Sequence, residues 1–487
     1  MKLSELTKNI DILNSFGELD REIRELTYHS GQVQPHGIFV AVKGQQADGH
    51  KFIAQAIQAG ASVVVTEKKV QVSEEVTNLV VADTRKTLAQ LSANFFGDPS
   101  RHIALIGVTG TNGKTTTTYL LEAIFEQANF NPGVIGTIEH RFGKNRLPAK
   151  NTTPESYDLQ KLLRQMLDQQ INVCVMEVSS HALMMERVTG CHFDGAIFTN
   201  LTPEHLDFHQ EMDAYFSAKT KLFQENLAQS KKKNTFAAIN IDDPYGQRLL
   251  GQSNYKIIKY ALTNQADVRA TEIKAGAQGI SLKIATPNGS FSCVSKLLGK
   301  FNVHNILAAT STAIGLGLPL EIIGQGLAKV RAIPGRFEQV LNEKGILVFV
   351  DYAHTPDALR NVLMQAKELL TGNSKLICVF GCGGDRDKQK RPAMGAIASK
   401  YADRVLITND NPRTEDPAMI IKDIIVGVKG ANFEIIEARE QAIKAAVEMA
   451  KEGDVIVVAG KGHEDYQIIG TTRRHFDDRE VLREYLQ

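Results

Sequence analysis

Asp410, Asn411 and Arg413 fall within the stretch NDNPRTEDP (409–417). They put an acceptor, an amide and a planar cation within four residues. Turn chemistry at Asn411-Pro412 and Pro417 explains a polar loop, but not those three groups together. A second concentration is TGTNGKTT (109–116), between the apolar run IALIGV and the periodic run YLLEAIF. Gly110 and Gly113 let backbone N–H groups approach phosphate oxygens, Lys114 supplies a cation, and the Thr115 hydroxyl suits Mg²⁺. The strict pattern would place glycine at 108, where the chain has Val108. EVSSH (177–181) offers Glu177 as a metal ligand, with Ser179 and His181 as polar contacts. NLTPEHLDFH (200–209) offers His205 and Asp207. Magnesium prefers oxygen, so His205 is an unusual ligand for it, and a lone histidine more often satisfies a core hydrogen bond.

YFSAKTKLF (215–223) carries a lysine in an unexpected place. At 100° per residue Tyr215, Phe216, Ala218, Leu222 and Phe223 share one helix face, with Lys219 near its centre and Lys221 on the solvent side. Lys219 must snorkel, find a carboxylate or lose its charge. A neutral amine can react with CO₂ to give a carbamate, which turns a base into an oxygen ligand for magnesium.

The elements that position these residues read as α/β, with parallel sheets throughout and three blocks, 1–98, 99–334 and 335–487. GIFVAV (37–42) and ASVVVT (61–66), with a helical pattern between, make the first a small α/β unit. The second opens on the phosphate loop and contains INVCVMEV (171–178), GAIFTNL (195–201) and FAAINID (236–242). The third repeats strand-then-charged-loop four times: GILVFV into DYAHTPD, KLICVF into GCGGDRD, RVLIT into NDNPR, DVIVVA into GKGHED. Parallel strands send these loops to one edge, so 409–417 is expected to share a crevice with Asp351, His354, Arg386 and Glu464. KKKN (231–234) reads as a solvated loop.

With 56 Lys+Arg, 55 Asp+Glu and a net charge of +1, the chain does not bind nucleic acid through bulk charge. No apolar run approaches the ~18 residues of a membrane span, and MKLSELTKNI has no secretory apolar region. Five cysteines without a CxxC pair read as reduced thiols in the cytoplasm.

These motifs together resemble the Mur ligase family of ATP-dependent amide-forming enzymes, across nearly the whole chain. The resemblance implies a UDP-sugar-binding first domain, a central ATP-binding domain and a C-terminal Rossmann-like domain. Thr109, Gly110, Thr111, Asn112, Gly113, Lys114 and Thr115 match its phosphate loop. Glu177 and His205 match its magnesium site, and Lys219 its carbamylated lysine. His304 and Asn305 in FNVHNILAA match positions near the nucleotide base. Arg336 in PGRFE and Asp351 match positions near the phosphates and ribose. Lys114, Lys219, Glu177 and His205 are the implied catalytic set.

Within the family the chain is most similar to the members that extend UDP-MurNAc-L-Ala-D-Glu by the third peptide residue. Thr27 and Ser30 match the UDP-binding start. Asn151, Thr152 and Thr153, with Ser179, Met185 and Arg187, match the muramoyl-dipeptide contacts. Two positions depart: His29-Ser30-Gly31 stands for the usual Asp-Ser-Arg, and Met185 stands where many relatives carry Gln. DNPR is the motif of relatives that add meso-diaminopimelate, whose distal end carries an ammonium and a carboxylate. Asp410 and Asn411 are expected to accept from the ammonium and Arg413 to fork onto the carboxylate. Pro412, Arg386, Gly460 and Glu464 accompany them. The implied cofactors are ATP and Mg²⁺, and a monomer is expected. The alternatives are folylpolyglutamate synthetase, which needs neither the first block nor DNPR, and a phosphate-loop ATPase acting as switch or motor.

Overall fold

The computed structural model describes residues 1–44, 47–276 and 278–487, with the side chain of Asp207 outside the described set. Asp207, offered above beside His205, therefore has a described backbone only.

The phosphate-loop strand, Ala104–Thr109, is an apolar run buried on both faces, and it takes the centre of an eleven-stranded sheet. Its parallel neighbours are Val173–Glu177 and Gly195–Phe198. Helices cover both faces. Lys114–Gln127 packs with Phe301–Gly315 and Leu320–Lys329 on one side. Ser156–Asp168 and Met212–Lys221 lie on the other. The wings of the sheet are antiparallel, contrary to the parallel pairing expected throughout. Pro132–Ile135, Glu139–Phe142 and Asn145–Pro148 make one meander; Val268–Gly276, Gly279–Thr286 and Gly289–Ser295 make the other. The second wing alternates, with Ile280, Leu282 and Ile284 buried between exposed neighbours, and it turns at Asn288-Gly289. That period-two pattern, with a glycine at φ +118° in the turn, belongs to a hairpin with one wet face.

The first 98 residues hold a five-stranded sheet, four strands parallel and Asn14–Phe16 antiparallel at its edge. Tyr28 Oη donates to Asp158 across to the central sheet's helix. The last sheet runs Glu338–Val340, Leu347–Asp351, Val455–Ala459, Leu376–Phe380, Arg404–Ile407, Phe433–Ile435, all parallel except the first. The four charged loops therefore leave one edge, as the strand-loop repeats predict. Arg439 and Asp478 form a fully buried bidentate pair there, and Arg439 also donates to the Ala459 carbonyl at the end of the central strand.

Two lysines depart from their sequence reading. Lys232 of KKKN donates to the Ile103 carbonyl and pairs with Asp194 at 3.0 Å, so the loop is pinned at that residue while Lys231, Lys233 and Asn234 stay exposed. Lys221 pairs with Glu186 at 2.7 Å instead of reaching free solvent.

Candidate active site

The phosphate loop is shaped by two glycines. At Gly110 (φ +145°) a Cβ would lie 1.9 Å from Thr199 Oγ1, and at Gly113 (φ +88°) it would lie 2.3 Å from Asn305 Oδ1. Only glycine allows both the left-handed backbone and the close approach. Asn200 holds the loop by accepting from the Asn112 N–H at 2.9 Å. Lys114 Nζ curls over the loop and donates to the Gly110 and Thr111 carbonyls at 2.8 and 2.7 Å. Burial holds its ammonium below the ordinary lysine value.

A cavity of about 560 Å³ opens in front of the loop. Thr111 to Thr115 line it, whereas Thr109 and Gly110 lie behind them. Thr152, Glu177 and Ser179 line one wall. His304, Asn305, Arg336, Asp351 and His354 line another. His304 Nε2 meets Asp242 at 3.0 Å, which adds to the hydrogen bonds that keep that carboxylate ionised. Arg336, from the last sheet's side of the molecule, donates to Thr115 Oγ1 at 3.0 Å. Asp351 accepts from the Phe337 N–H, yet burial raises its pKa to about 6.

Glu177 is 1 % exposed, and its carboxylate accepts from Thr137 N and Oγ1 at 3.0 and 2.9 Å. With Thr115 it puts two oxygen donors on one cavity. Among the described residues no three His, Cys, Asp or Glu side chains group closely enough to cage a metal alone. A hard cation that keeps waters and phosphate oxygens needs no such cage, so this donor pair fits magnesium. His205 has φ +57° and an outer edge open to solvent. Desolvation of its inner edge, with the charges of His181, Lys219 and Lys114, holds the ring below the usual imidazole value against the pull of Glu204.

Lys219 neither snorkels nor finds a carboxylate. It is 2 % exposed; its Nζ donates to the Gly110 carbonyl at 2.9 Å and sits 4.5 Å from the Tyr215 ring centre. Burial, then the charge of Lys114, push its pKa well below the ordinary lysine value. The helix widens into a π-turn over Leu222–Leu227 directly after it. Such turns often accompany sites.

Thr153 Oγ1 donates to the Glu177 carbonyl at 2.8 Å and accepts from Ser179 N. Arg187 donates to the Thr153 carbonyl, pairs with Glu155 and meets the Met185 sulfur at 3.5 Å. Asn151 is exposed beside them. Thr27 and Ser30 lie on the first sheet's side of the molecule; Ser30 Oγ donates to Gln55, and Thr27 Oγ1 accepts from His29 N.

The expected common crevice is divided. Asp351 and His354 line the main cavity, whereas Arg386 lines a second, open pocket beside Leu206. Asp410, Asn411, Arg413 and Glu464 form a knot at the same sheet edge, lining neither of these two. Asn411 Oδ1 accepts from the Ile468 N–H and from Lys461 Nζ, and its Nδ2 donates to Glu464 at 2.8 Å. Its oxygen is therefore engaged within the protein. Arg413, at φ +54°, donates to the Gly384 carbonyl at 2.7 Å; Gly384 in turn packs on Pro412, whose carbonyl leaves no room for a Cβ. Gly460 (φ +115°) leaves no room for a side chain against Asp410 Oδ2.

Two residues escaped the sequence reading. Glu204, next to His205, faces His354 at 3.3 Å. Burial opposes its charge, but His354, His205 and Lys114 outweigh that and hold its pKa well below the carboxylate range. Lys461 is fully buried in the knot. An acid before a histidine and a lysine between glycines were the available signals.

Comparison with known proteins fits this arrangement. The Mur ligase family, catalytic domain, matches residues 22–105, the Mur ligase middle domain 108–313, and the Mur ligase glutamate ligase domain 335–462. The UDP-N-acetylmuramoyl-L-alanyl-D-glutamate--2,6-diaminopimelate ligase of Geobacter sulfurreducens is 46 % identical over 99 % of this chain and 97 % of its own. The chain belongs to the Mur ligase family. Another relative of the same name, from Clostridioides difficile, is 45 % identical over 100 % of this chain and 99 % of its own. A solved structure of a ligase so named has a TM-score of 0.71 at 34 % identity, covering 100 % of this chain and 98 % of the other. Mycobacterium tuberculosis folylpolyglutamate synthase, at 18 % identity, TM-score 0.63, covering 77 % of this chain and 92 % of its own, shares the Mur ligase fold alone.

Proposed function

We propose that this Mur ligase joins meso-diaminopimelate to the D-glutamyl γ-carboxylate of UDP-MurNAc-L-Ala-D-Glu at the expense of ATP, as a cytoplasmic monomer supplying peptidoglycan precursor. The observation that carries this reading is the shared cavity. It sets the phosphate loop, Glu177, the Thr152–Ser179 wall and the Arg336–Asp351 wall around one space. The domains divide at 1–98, 99–334 and 335–487: UDP-sugar binding, ATP binding and amino-acid binding.

In the reaction the γ-carboxylate oxygen attacks the ATP γ-phosphorus, releasing ADP and leaving an acyl phosphate. The free amine then attacks the acyl carbon, the amide forms, and phosphate leaves as the attacking nitrogen loses a proton. The backbone N–H groups of Gly113 to Thr115 at the helix start and the Lys114 ammonium cradle the β- and γ-phosphates, while those of Thr111 and Asn112 are held by Asn200. His304 and Asn305 flank the base, and Asp351 and Arg336 the ribose and phosphates. Thr27 and Ser30 hold the uridine end; Asn151, Thr152, Thr153, Ser179, Met185 and Arg187 hold the muramoyl dipeptide. Asp410 and Glu464 receive the distal ammonium, and Arg413 with Arg386 the distal carboxylate. Thr115, Glu177, His205 and Lys219 as its carbamate would hold magnesium, which supplies positive charge to the phosphoryl oxygens when bound. Burial and the charge of Lys114 lower the Lys219 pKa, which favours the neutral amine that carbamate formation requires. The protein's contribution is chiefly positioning in a site assembled from separate domains.

The test is product mass after incubation with UDP-MurNAc-L-Ala-D-Glu, ATP and either meso-diaminopimelate or L-lysine. A tripeptide product with diaminopimelate is expected. ATP hydrolysis without acceptor, or glutamylation of a folate, would point to one of the two alternatives.

A further inference from the structure

Lys461 is 0 % exposed and lies in the middle of the loop knot at the edge of the last sheet. Glycines with left-handed backbones flank it, Gly460 at φ +115° and Gly462 at φ +56°. A Cβ at Gly460 would lie 2.9 Å from Asp410 Oδ2, and one at Gly462 would lie 2.6 Å from Tyr352 Cβ. The loop is thus pressed between the 409–413 turn and Tyr352, and the lysine has no path to solvent. Its Nζ lies 3.1 Å from Glu464 Oε2, 3.3 Å from Asn411 Oδ1 and 3.8 Å from Asp410 Oδ1, with the Tyr466 ring centre at 5.3 Å.

A buried ammonium persists only when paired and hydrogen-bonded. Here the pairing is lopsided. Two carboxylates face one ammonium, and Arg413, the knot's other cation, turns to the Gly384 and Asn411 carbonyls rather than to either carboxylate. Asp410 Oδ1 is buried without a hydrogen-bond partner. The knot can therefore accept one further cation. Lys461 also dictates which way the Asn411 amide faces. With Lys461 and Ile468 N–H donating to its oxygen, Asn411 must turn its NH₂ to Glu464.

We infer that Lys461 is a positioning residue for amino-acid recognition: it aligns Asn411 and Glu464 and offsets one of the two carboxylate charges of Asp410 and Glu464, so that a single ammonium of the incoming amino acid completes the pairing. This rests on the proposed function, which places the distal ammonium of diaminopimelate at Asp410 and Glu464. Without Lys461 the two carboxylates repel, Asn411 Oδ1 keeps only the Ile468 N–H, and Glu464 loses the ammonium that fixes it, so the pocket loses its shape for one ammonium.

The test compares wild type, Lys461→Met and Lys461→Gln for the KM of meso-diaminopimelate, of ATP and of the UDP-dipeptide. Wild-type ligation of diaminopimelate is checked first; its absence would defeat the proposed function rather than this inference. The expected result is a KM for diaminopimelate raised about thirty-fold or more in Lys461→Met. The other two KM values should stay within about two-fold, and Lys461→Gln should recover part of the loss because it still hydrogen-bonds. Glu464→Gln combined with Lys461→Met should cost no more than the worse single change, since the lysine acts through Glu464. Equal rises in all three KM values, or none, would overturn the inference. If neither variant folds, a crystal structure of the wild type with diaminopimelate decides. Lys461 Nζ within hydrogen-bond distance of Asn411 and Glu464 beneath the bound ammonium supports it; Lys461 displaced from both overturns it.

Discussion

Glu204 and His354 face each other at 3.3 Å across the nucleotide cavity, one from the central sheet and one from the last. His354 is held from behind, since its Nδ1 meets the Tyr352 carbonyl at 2.8 Å. With Arg336 on Thr115 this is one of the few side-chain links between the two sheets at the phosphate loop. His354→Ala should weaken this link between the two sheets by on the order of 1 kcal/mol, because the histidine side is 36 % exposed and screened. That corresponds to about a five-fold loss in kcat/KM for ATP. Unchanged ATP kinetics in a folded His354→Ala would show that the contact is incidental.

Lys219→Ala should fold and bind nucleotide, yet lose most turnover. The lysine's one hydrogen bond goes to the back of the phosphate loop, and nothing in that contact needs a charge. Isotope-labelled bicarbonate followed by carbon NMR should show a carbamate signal in wild type that Lys219→Ala lacks. A fully active variant, or no such signal at any bicarbonate concentration, refutes the carbamate.

Arg413→Ala should lower kcat/KM for diaminopimelate by some thirty-fold to several thousand-fold, the equivalent of roughly 2–5 kcal/mol for a truncated charge pair. ATP kinetics should hardly move, because Arg413 does not line the nucleotide cavity. Arg413 also has φ +54°, which strains any residue with a Cβ. Arg413→Gly should therefore lose the same activity as Arg413→Ala while folding about 1 kcal/mol more stably. Wild-type turnover of L-lysine comparable to that of diaminopimelate would contradict the recognition argument.

Asp351 sets a pH dependence of stability. Its pKa rises from the ordinary 3.8 to about 6 in the folded protein, because burial outweighs Arg336 and the backbone N–H groups. The folded state then binds more protons than the unfolded state between those values, so this residue's contribution falls as pH rises through about 4 to 6 and is level above. The full effect is on the order of 3 kcal/mol. Urea unfolding of wild type and Asp351→Asn between pH 4 and 7 checks it: the difference between them should drift across the lower half and flatten above. Parallel pH profiles would count against it.

The strand, glycine loop and helix around Lys114 were legible because a buried strand and an amphipathic helix are local patterns. Lys219 was legible for the same reason: its helix face is computed from nine neighbouring residues. Glu204 and Lys461 were not, because their burial depends on partners 50 to 150 positions away or on loops of other strands, and a lysine between glycines looks like a turn. The partners of the Asn411 amide were hidden for the same reason. Its amide could be read as free only while the donors at Lys461 and Ile468 were out of view. The antiparallel wings were missed because parallel pairing was expected throughout and the alternation over 268–295 was not singled out.

The Arg439–Asp478 pair restricts how this sequence can drift. Both side chains have no exposure, and the guanidinium also holds the carbonyl of Ala459, one residue before Gly460. Two apolar residues of matching volume would serve a buried position about as well as an ion pair. Yet every single-nucleotide route to such a pair passes through a chain with one charge buried and alone, at a cost of roughly 3–5 kcal/mol. That is a large part of the 5–15 kcal/mol by which folded proteins are ordinarily stable. The two positions are thus tied to each other by inheritance as well as by hydrogen bonds, and the loop that follows Ala459 inherits their fixity.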